Sequence, residues 1–309
     1  MTRMVSIRAF AKINLGLQVR GTRPDGYHDL QTVFQTIALA DTLTFRACDG
    51  PFRLGCTRDD VPVDEHNLVW RAAAALWKAL GRTSRLEGVT VDIRKGIPPR
   101  SGLGGGSADA AAALLALTRL WRAQVTAATI EKIAADVGAD VPFFLCGGTA
   151  LGLGRGDEIY PLADAPPSPV VVAYPTFGVS TSDAFGWFDA DRASGRAGDA
   201  VDASPRGPGI WRPQAAGVVN DLEPPVLRRH PAIGDALRRL RAGGATAAAL
   251  SGSGSAVFGL FPDSHSASSA AARLNRHGWT SLATRTLTRR QSAARYQQPA
   301  RKRRETSAP

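Results

Sequence analysis

The sequence predicts an α+β protein of two domains that join near residue 165. Apolar and polar residues alternate along several segments, which indicates half-buried strands, and capped or alanine-rich segments between them indicate helices. The composition changes near Asp164, inside the proline-rich stretch "ADAPPSPVVVAYP". A length of 309 residues fits about two domains of ordinary size. We therefore place the first domain at 1–164, the second at 165–288, and a basic, disordered tail at 289–309.

The first domain is predicted to mix strands and helices. From Val5 to Val19 apolar residues occupy alternate positions, so this segment is a half-buried strand on which Lys12 and Asn14 point the same way, off the core. Asp25-Gly26 is a turn signal. The other predicted elements are a strand in "TVFQTIALADTLTF", a helix over 67–80 capped by Asn67, a strand in "VTVDIRKGIP", helices over 107–121 and 126–137, the second stopped by Gly138, and a hairpin in "TALGLGRGDEIYPL".

The second domain is predicted to alternate short strands with helices. The segment Asp189–Pro213 is rich in Gly, Asp, Arg, Pro and Ser and has few apolar residues, which is typical of a surface insertion. The predicted regular elements are a strand over 170–173, a strand–glycine turn–strand unit in "ATAAALSGSGSAVFGLF", a helix over 265–277 and a last strand in "TSLATRTL".

The distribution of charge argues against a nucleic-acid partner. The net charge is +11, a value typical of proteins that bind nucleic acids. More than half of that charge comes from the tail 289–309, where seven arginine and lysine residues accompany one acid, Glu305. The milder charge of the remaining chain suits an enzyme of anionic substrates.

Apolar runs and cysteines indicate a cytoplasmic protein. No apolar run approaches the ~20 residues of a membrane span, and the first residues carry no signal-peptide core. We therefore expect no membrane partner. Cys48, Cys56 and Cys146 are too few and too scattered for a disulfide framework or a zinc site, so we expect three buried or half-buried thiols.

A glycine-rich loop precedes an alanine-rich helix in "IPPRSGLGGGSADAAAALLAL". Glycines let a backbone approach a ligand closely, and a helix N-terminus presents unpaired N–H groups and a partial positive charge, so the pair favours phosphate. Ser107 is predicted as the N-cap, with its hydroxyl available to a phosphate or to Mg²⁺. The loop lacks the lysine of a Walker A motif, and Ser107 replaces the third glycine of a dinucleotide motif. A glycine turn without a ligand is the alternative.

Five segments in order resemble the GHMP kinase superfamily. The phosphate loop of that superfamily is similar to "PPRSGLGGGSADAAA", and its three-glycine version is characteristic of one branch. The other four segments are "AFAKINLGLQVRGTRPDGYHDL", "GADVPFF", "NDLE" and "SGSGSAVFG". Together they extend from about Ala9 to Phe261, most of the chain. The resemblance implies a ribosomal-S5-domain-2-like ATP-binding domain followed by a ferredoxin-like α/β sandwich domain.

The activity implied by this resemblance is ATP-dependent phosphorylation of a hydroxyl group, with Mg²⁺. The branch that it resembles acts on the 2-hydroxyl of methylerythritol linked to cytidine diphosphate, in the non-mevalonate isoprenoid pathway. Three alternatives stay open: another GHMP kinase, of the homoserine or mevalonate type; a nucleic-acid-binding protein that uses the arginine-rich tail; and a catalytically inactive relative. We expect a monomer or a homodimer.

The resemblance assigns catalysis to Asp140 and Lys12. Asp140 would accept the hydroxyl proton, and Lys12 would keep Asp140 ionised and stabilise the forming alkoxide. Each has an ordinary alternative. Asp140 precedes Val141 and Pro142 and would then only cap a helix, and Lys12 would be a solvated lysine on the polar face of a strand.

The substrate contacts are assigned in the same way. Asn14 would hydrogen-bond the substrate, His28 would bind the edge of the cytosine base, and Tyr27 would stack on its ring. Phe185 resembles the aromatic residue on the opposite face of the base. Its alternative is an apolar helix residue that packs inward, and a lone Tyr-His in a loop is more often surface.

The resemblance gives two loops to the ATP phosphates. The first comprises Pro99 and residues 102–107, namely Gly102, Leu103, Gly104, Gly105, Gly106 and Ser107, with Ser107 as a Mg²⁺ ligand. Ala108 stands where many members have a second serine, and Asp109 would repel phosphate unless Mg²⁺ intervenes. The second is the site-closing loop of Gly252, Ser253 and Gly254, for which a tight hairpin without a ligand is the alternative.

Overall fold

The computed structural model describes residues 3–195 and 218–294 and the backbone of 296–297. No helix among them is long and apolar enough to cross a membrane. The strands are β1 (Met4–Thr22), β2 (His28–Pro51), β3 (Arg53–Cys56), β4 (Glu87–Arg94), β5 (Thr149–Gly154), β6 (Glu158–Pro161), β7 (Pro169–Tyr174), β8 (Val219–Asn220), β9 (Ala247–Leu250), β10 (Val257–Leu260), β11 (Thr280–Arg285) and β12 (Tyr296–Gln297). The helices are α1 (Leu68–Ala79), α2 (Gly105–Leu120), α3 (Ala127–Val137), α4 (Val141–Cys146), α5 (Thr181–Ala193), α6 (Glu223–Arg229), α7 (Pro231–Ala242), α8 (Ser264–Arg276) and α9 (Arg289–Ala293).

A long antiparallel ladder between β1 and β2 organises the first sheet. The ladder extends from the pair Met4–Arg46 to the pair Thr22–His28. The order β12-β1-β2-β4-β3 forms the main path, while β5 pairs with β2 and β6, and β8 pairs with β1. The predicted hairpin of β5 and β6 is confirmed. Helices α1 to α4 cover this sheet with apolar side chains.

Residues 9–15 of β1 are buried on both faces, which corrects one prediction. The side chains of Lys12 and Asn14 share a face, as alternation requires, but they are 3% and 1% exposed rather than solvated. The backbone N–H of Lys12 donates to the carbonyl of Leu103 (3.0 Å), so the glycine loop covers this face. Sequence alternation gave the correct face but could not show what lies upon it.

The second sheet is antiparallel in the order β11-β7-β10-β9. Its central strand β7 is apolar throughout because both of its faces are buried. Val170 and Val172 pack into the core of the first sheet, whereas Val171 and Ala173 pack against the helices of the second. The predicted unit of two strands around a glycine turn is confirmed as β9 and β10.

Helix ends follow the predicted caps, with one exception. Asn67 accepts a hydrogen bond from the N–H of Val69 at the start of α1, and α3 ends at Gly138 as predicted. The prediction that Ser107 caps α2 is wrong. The N-cap is Gly104, whose φ of 74° lies in the left-handed region, and Ser107 is the third residue of the helix.

Two predicted surface segments lie partly inside the fold. Residues 189–193 of the predicted insertion belong to α5, and residues 196–213 lie outside the described residues. Residues 289–293 of the predicted tail form α9, with a capping box between Thr288 and Gln291, and residues 298–309 lie outside the described residues. Arg289 donates to the carbonyls of Thr149 (2.8 Å) and Leu162 (3.1 Å), which fixes α9 to the first sheet.

The predicted boundaries at 164 and 288 stay a proposal. Besides α9, Leu17 and Val19 of β1 pack into the second core, and β8 pairs with β1. Cys48, Cys56 and Cys146 are free, half-buried thiols, as expected.

A buried cluster of three charges lies behind the glycine loop. The ammonium of Lys95 bonds the carboxylates of Asp41 (2.5 Å) and Asp109 (2.9 Å), and Asp41 accepts from the N–H groups of Gly96 and Ile97. Burial raises the pKa of Asp109 well above its ordinary value, although Lys95 opposes this. Asp109 is therefore ion-paired with Lys95 and buried, rather than exposed beside the glycine loop.

We expect Lys95→Met to lower the free energy of unfolding by about 3 kcal/mol, because it leaves two buried carboxylates without a cation. Lys132→Met removes one exposed partner of Asp136 and should cost under about 1 kcal/mol. The side chains of Lys95 and Lys132 are 4% and 75% exposed. Urea denaturation of both variants measures the difference, and equal losses would contradict the assignment.

Candidate active site

The first turn of α2 has no side-chain cap over its backbone donors. Gly104 precedes it in the left-handed conformation, and no side chain caps the helix. A Cβ at Gly104 would lie 2.5 Å from the ring of Phe144, so only glycine fits the approach of the loop to α4. The N–H groups at the start of an α-helix lack intrahelical partners and lie at the positive end of the helix dipole. Gly105, Gly106 and Ser107 therefore offer backbone donors to an anion.

The segment before these glycines is fixed by local bonds. The hydroxyl of Ser101 donates to the carbonyl of Pro98 (2.7 Å), and Pro99 lies in the turn between them. Leu103 is fully buried, and its carbonyl accepts the N–H of Lys12. The loop is thereby attached to β1 at the residue that also carries the candidate cation.

The second glycine loop closes over the first. The hydroxyl of Ser251 donates to the carbonyl of Gly102 (3.1 Å), and the N–H of Ala256 donates to that of Ser101 (3.0 Å). A Cβ at Gly102 would collide with the carbonyl of Ser251, and one at Gly252 would lie 3.0 Å from the ammonium of Lys12. The residues predicted as a site-closing loop therefore lie against Lys12.

Asn220 anchors this loop, a role that the sequence did not reveal. Its amide donates to the carbonyls of Leu250 (2.9 Å) and Gly252 (2.8 Å). The neighbouring Asp221 accepts the N–H of Val19 (2.8 Å). The "NDLE" segment is the signal that could have indicated this anchor.

Asp140 and Lys12 meet beside these loops. Asp140 occupies the N-cap position of α4, but its side chain makes no capping hydrogen bond. Instead its Oδ2 lies 3.6 Å from the Nζ of Lys12, and its side chain is 34% exposed, so it is open to solvent. Burial lowers the pKa of Lys12 below its ordinary value, while the charge of Asp140 opposes that shift. The capping alternative for Asp140 is thus unsupported.

A chain of buried hydrogen bonds fixes Lys12 from its other side. Its ammonium donates to the Oδ1 of Asn14 (2.6 Å), the Nδ2 of Asn14 donates to the hydroxyl of Thr32 (2.8 Å), and that hydroxyl donates to the carbonyl of Gly16 (2.7 Å). The Oδ1 of Asn14 is already bound to Lys12. Thr32 was missed because threonine is an ordinary strand residue.

The predicted base-binding residues lie at the other end of the β1–β2 ladder. Phe185 stacks on the imidazole of His28, with ring centroids 4.6 Å apart, so this face of Phe185 is covered by His28 itself. Tyr27 is exposed, and the guanidinium of Arg155 lies over its ring at 5.3 Å. The structure therefore brings His28 and Phe185 together, in direct contact rather than as two walls with a gap for a base.

The metal-ligating side chains in the described ranges are dispersed. No group of three or more His, Cys, Asp or Glu residues there could hold a metal ion. A Mg²⁺ ion usually retains several waters and takes one or two protein ligands together with substrate phosphates. The hydroxyl of Ser107, in the first turn of α2, fits that limited role.

Two family models match the chain. The GHMP kinases N terminal domain matches residues 67–148, and the GHMP kinases C terminal domain matches residues 211–278. Two curated relatives are each called 4-diphosphocytidyl-2-C-methyl-D-erythritol kinase. The protein of Pelotomaculum thermopropionicum is 40% identical over 92% of this chain and 98% of its own length. That of Moorella thermoacetica is 41% identical over 92% and 99%.

Solved structures agree with this assignment. A crystal structure of 4-(cytidine 5'-diphospho)-2C-methyl-D-erythritol kinase matches with a TM-score of 0.69 and 35% identity, over 93% of this chain and 99% of the other. A homoserine kinase from Cytophaga hutchinsonii matches with a TM-score of 0.62 and 19% identity, over 92% and 95%, and shows the shared fold alone. The chain belongs to the GHMP kinases, in the family of the 4-diphosphocytidyl-2-C-methyl-D-erythritol kinases.

Proposed function

We propose that this chain transfers the γ-phosphoryl group of ATP to the 2-hydroxyl of 4-diphosphocytidyl-2-C-methyl-D-erythritol, a step of the non-mevalonate isoprenoid pathway. The observation that carries this proposal is the Lys12–Asp140 pair, which lies beside the uncapped start of α2 and under residues 251–255. A base, a cation and a backbone phosphate cradle are the parts that phosphoryl transfer needs.

In this mechanism the substrate hydroxyl oxygen attacks the γ-phosphorus, and the bond from phosphorus to the bridging oxygen of ADP breaks. Asp140 accepts the hydroxyl proton, so no covalent phosphoenzyme forms. Lys12 lies 3.6 Å from the Asp140 carboxylate and stabilises the charge that develops on the attacking oxygen. The donors of Gly105, Gly106 and Ser107 bind the phosphates.

The metal assignment follows the same geometry. Mg²⁺ bound with ATP would neutralise charge on the phosphate oxygens. We assign the Ser107 hydroxyl as its protein ligand, since Asp109 is buried against Lys95. Ala108 is buried in the helix, so the missing second serine removes no side chain from the cleft.

Substrate choice depends on the His28 end of the site. A homoserine or mevalonate kinase would have no use for base-binding aromatics, and similarity to those enzymes below 25% identity supports only the fold. The nucleic-acid hypothesis depends on the arginine-rich tail, and residues 289–293 of that tail belong to the fold. A cytoplasmic location and a monomeric or homodimeric state stay predictions.

The function is tested by ADP release from ATP and Mg²⁺ with the cytidyl substrate. We expect Asp140→Asn to lower kcat by about 10³-fold, because it removes both the base and its charge. Asp136→Asn on α3, which removes an exposed and ion-paired carboxylate, should retain wild-type kcat. No turnover by folded wild-type protein would refute the substrate, and turnover of mevalonate or homoserine would move the chain to the alternative class.

The hydroxyl of Thr32 should tune Lys12. Thr32→Val removes the acceptor that holds the Nδ2 of Asn14, so the amide is fixed less well toward the ammonium, the charged form is stabilised less and the pKa of Lys12 falls further. Among the described residues Asp140 is the ionisable side chain that pairs with Lys12, so few other groups can mask the effect. We expect the alkaline limb of the pH–kcat profile to move about one unit toward lower pH.

Two variants control that experiment. Thr32→Ser retains the hydroxyl and should restore the wild-type profile. Thr118→Val, near the C-terminal end of α2, removes a half-buried hydroxyl that donates to the carbonyl of Leu114 (2.7 Å), so its profile should not move. A Thr32→Val profile that coincides with that of the wild type would contradict the network.

Closure of the two loops requires glycine at 102. Gly102→Ala and Gly278→Ala both place alanine at a left-handed φ, 78° and 82°, which costs each about 1–2 kcal/mol of stability. Gly102→Ala should lose more, because its Cβ also meets the carbonyl of Ser251. Only Gly102 faces another backbone, since nothing lies within 4 Å of a Cβ at Gly278. We expect Gly102→Ala alone to lower kcat/KM, by about tenfold or more, because residues 251–255 must move away from Lys12. Equal kcat/KM in the two variants would show that closure does not matter.

A further inference from the structure

One face of α5 surrounds the imidazole of His28. Phe185, Phe188 and Asp189 occupy positions i, i+3 and i+4 of the helix, so their side chains project from the same face. Phe185 stacks on the ring at 4.6 Å, Phe188 meets it edge-on at 6.3 Å, and the Oδ1 of Asp189 lies 2.9 Å from its Nε2. As a result the His28 side chain is only 12% exposed.

The carboxylate of Asp189 determines which nitrogen of His28 remains available. An ionised carboxylate only accepts hydrogen bonds, so the Nε2 of His28 must carry the proton that it shares with Asp189. In the neutral ring the other nitrogen, Nδ1, is then an acceptor. A fixed acceptor favours a partner that donates.

Cytosine and uracil differ in this respect. Cytosine presents a donating amino group at the position where uracil presents an accepting carbonyl oxygen. An imidazole held with Nδ1 as acceptor therefore binds the amino group of cytosine. The carbonyl oxygen of uracil would face the lone pair of Nδ1 and could make no hydrogen bond with it. Discrimination of this kind requires that the ring cannot change its tautomer freely.

We propose that Asp189 is a positioning residue that sets the tautomer of His28 and thereby makes the site select a cytidine over a uridine diphosphate substrate. This inference rests on the proposed function, in which His28 binds the base. Phe185 and Phe188 fix the plane of the ring, and Asp189 fixes its proton. Asp189, the first residue of the predicted surface insertion, is thus part of the substrate site.

The experiment compares kcat and KM for 4-diphosphocytidyl-2-C-methyl-D-erythritol and for its uridyl analogue in the wild type, Asp189→Asn and Asp189→Glu. An asparagine amide can donate to Nε2 and so permits the opposite tautomer. We expect Asp189→Asn to raise KM for the cytidyl compound about tenfold and to reduce its preference over the uridyl compound by about the same factor. Its kcat should stay within about a factor of two, since the chemistry occurs at Lys12 and Asp140. Asp189→Glu should restore part of the preference.

A matched control and a second readout separate the outcomes. Asp235→Asn on α7 also removes an ion-paired carboxylate, of 55% exposure against 53% for Asp189, and should change neither KM nor the preference. The ¹⁵N chemical shifts of His28 report its tautomer without any substrate, and we expect protonated Nε2 in the wild type and a mixture in Asp189→Asn. If Asp189→Asn changes the tautomer of His28 but the wild type shows no turnover, the proposed function is refuted, while the role of Asp189 in setting the tautomer is retained. An unchanged tautomer, or an unchanged preference in an active Asp189→Asn variant, would overturn the inference.

Discussion

The ammonium of Lys12 lies where water cannot solvate it, and the arrangement of the site follows from that burial. A buried cation is stable only with a counter-charge and hydrogen-bond acceptors, which Asp140 and Asn14 supply. Because Asp140 stays partly exposed, the carboxylate that stabilises Lys12 is also accessible from solvent. Part of the cover over Lys12 is backbone, since Gly252 and Gly104 approach it more closely than larger residues could. The glycines are thus required by packing around a charge as well as by a phosphate.

The two glycine loops meet at this point, through hydrogen bonds to backbone carbonyls. Residues 251–256 donate hydrogen bonds to the carbonyls of residues 101–102, and Asn220, which lies in the strand paired with β1, holds the second loop in place. The valines of β7 divide between the two cores, because one face of that strand packs into the first core and the other face packs into the second. A site built between two rigid sheets keeps its donors in position before substrate arrives, which is the condition for electrostatic stabilisation.

The sequence predicted the elements whose signals are local. The caps at Asn67 and Gly138 and the strand–turn–strand unit of residues 247–260 depend on neighbours a few residues away, and the motif resemblance indicated Lys12 and Asp140. Partners far apart in the chain were missed. Thr32 is an ordinary strand residue, and Asp189 lies in a polar segment, so neither stands out. Lys95 is 54 positions from Asp41 and 14 positions from Asp109 in the chain, so their contact has no local signal. The role of each of these residues depends on the group that it contacts in the folded chain. The residue type alone does not reveal that contact.

The β1–β2 ladder carries the candidate catalytic residue Lys12 and the predicted base-binding residue His28. Lys12 pairs with Thr36 near its middle, and Thr22 pairs with His28 at its end, so the reacting hydroxyl and the base would be held by one continuous piece of backbone. Binding energy gained at a remote part of a substrate can accelerate a reaction only when it fixes the reacting group in position. A single rigid ladder satisfies that condition better than two loops that move independently. The same geometry explains why contacts at the two ends are separable, since α5 surrounds His28 while α4 and the glycine loops surround Lys12.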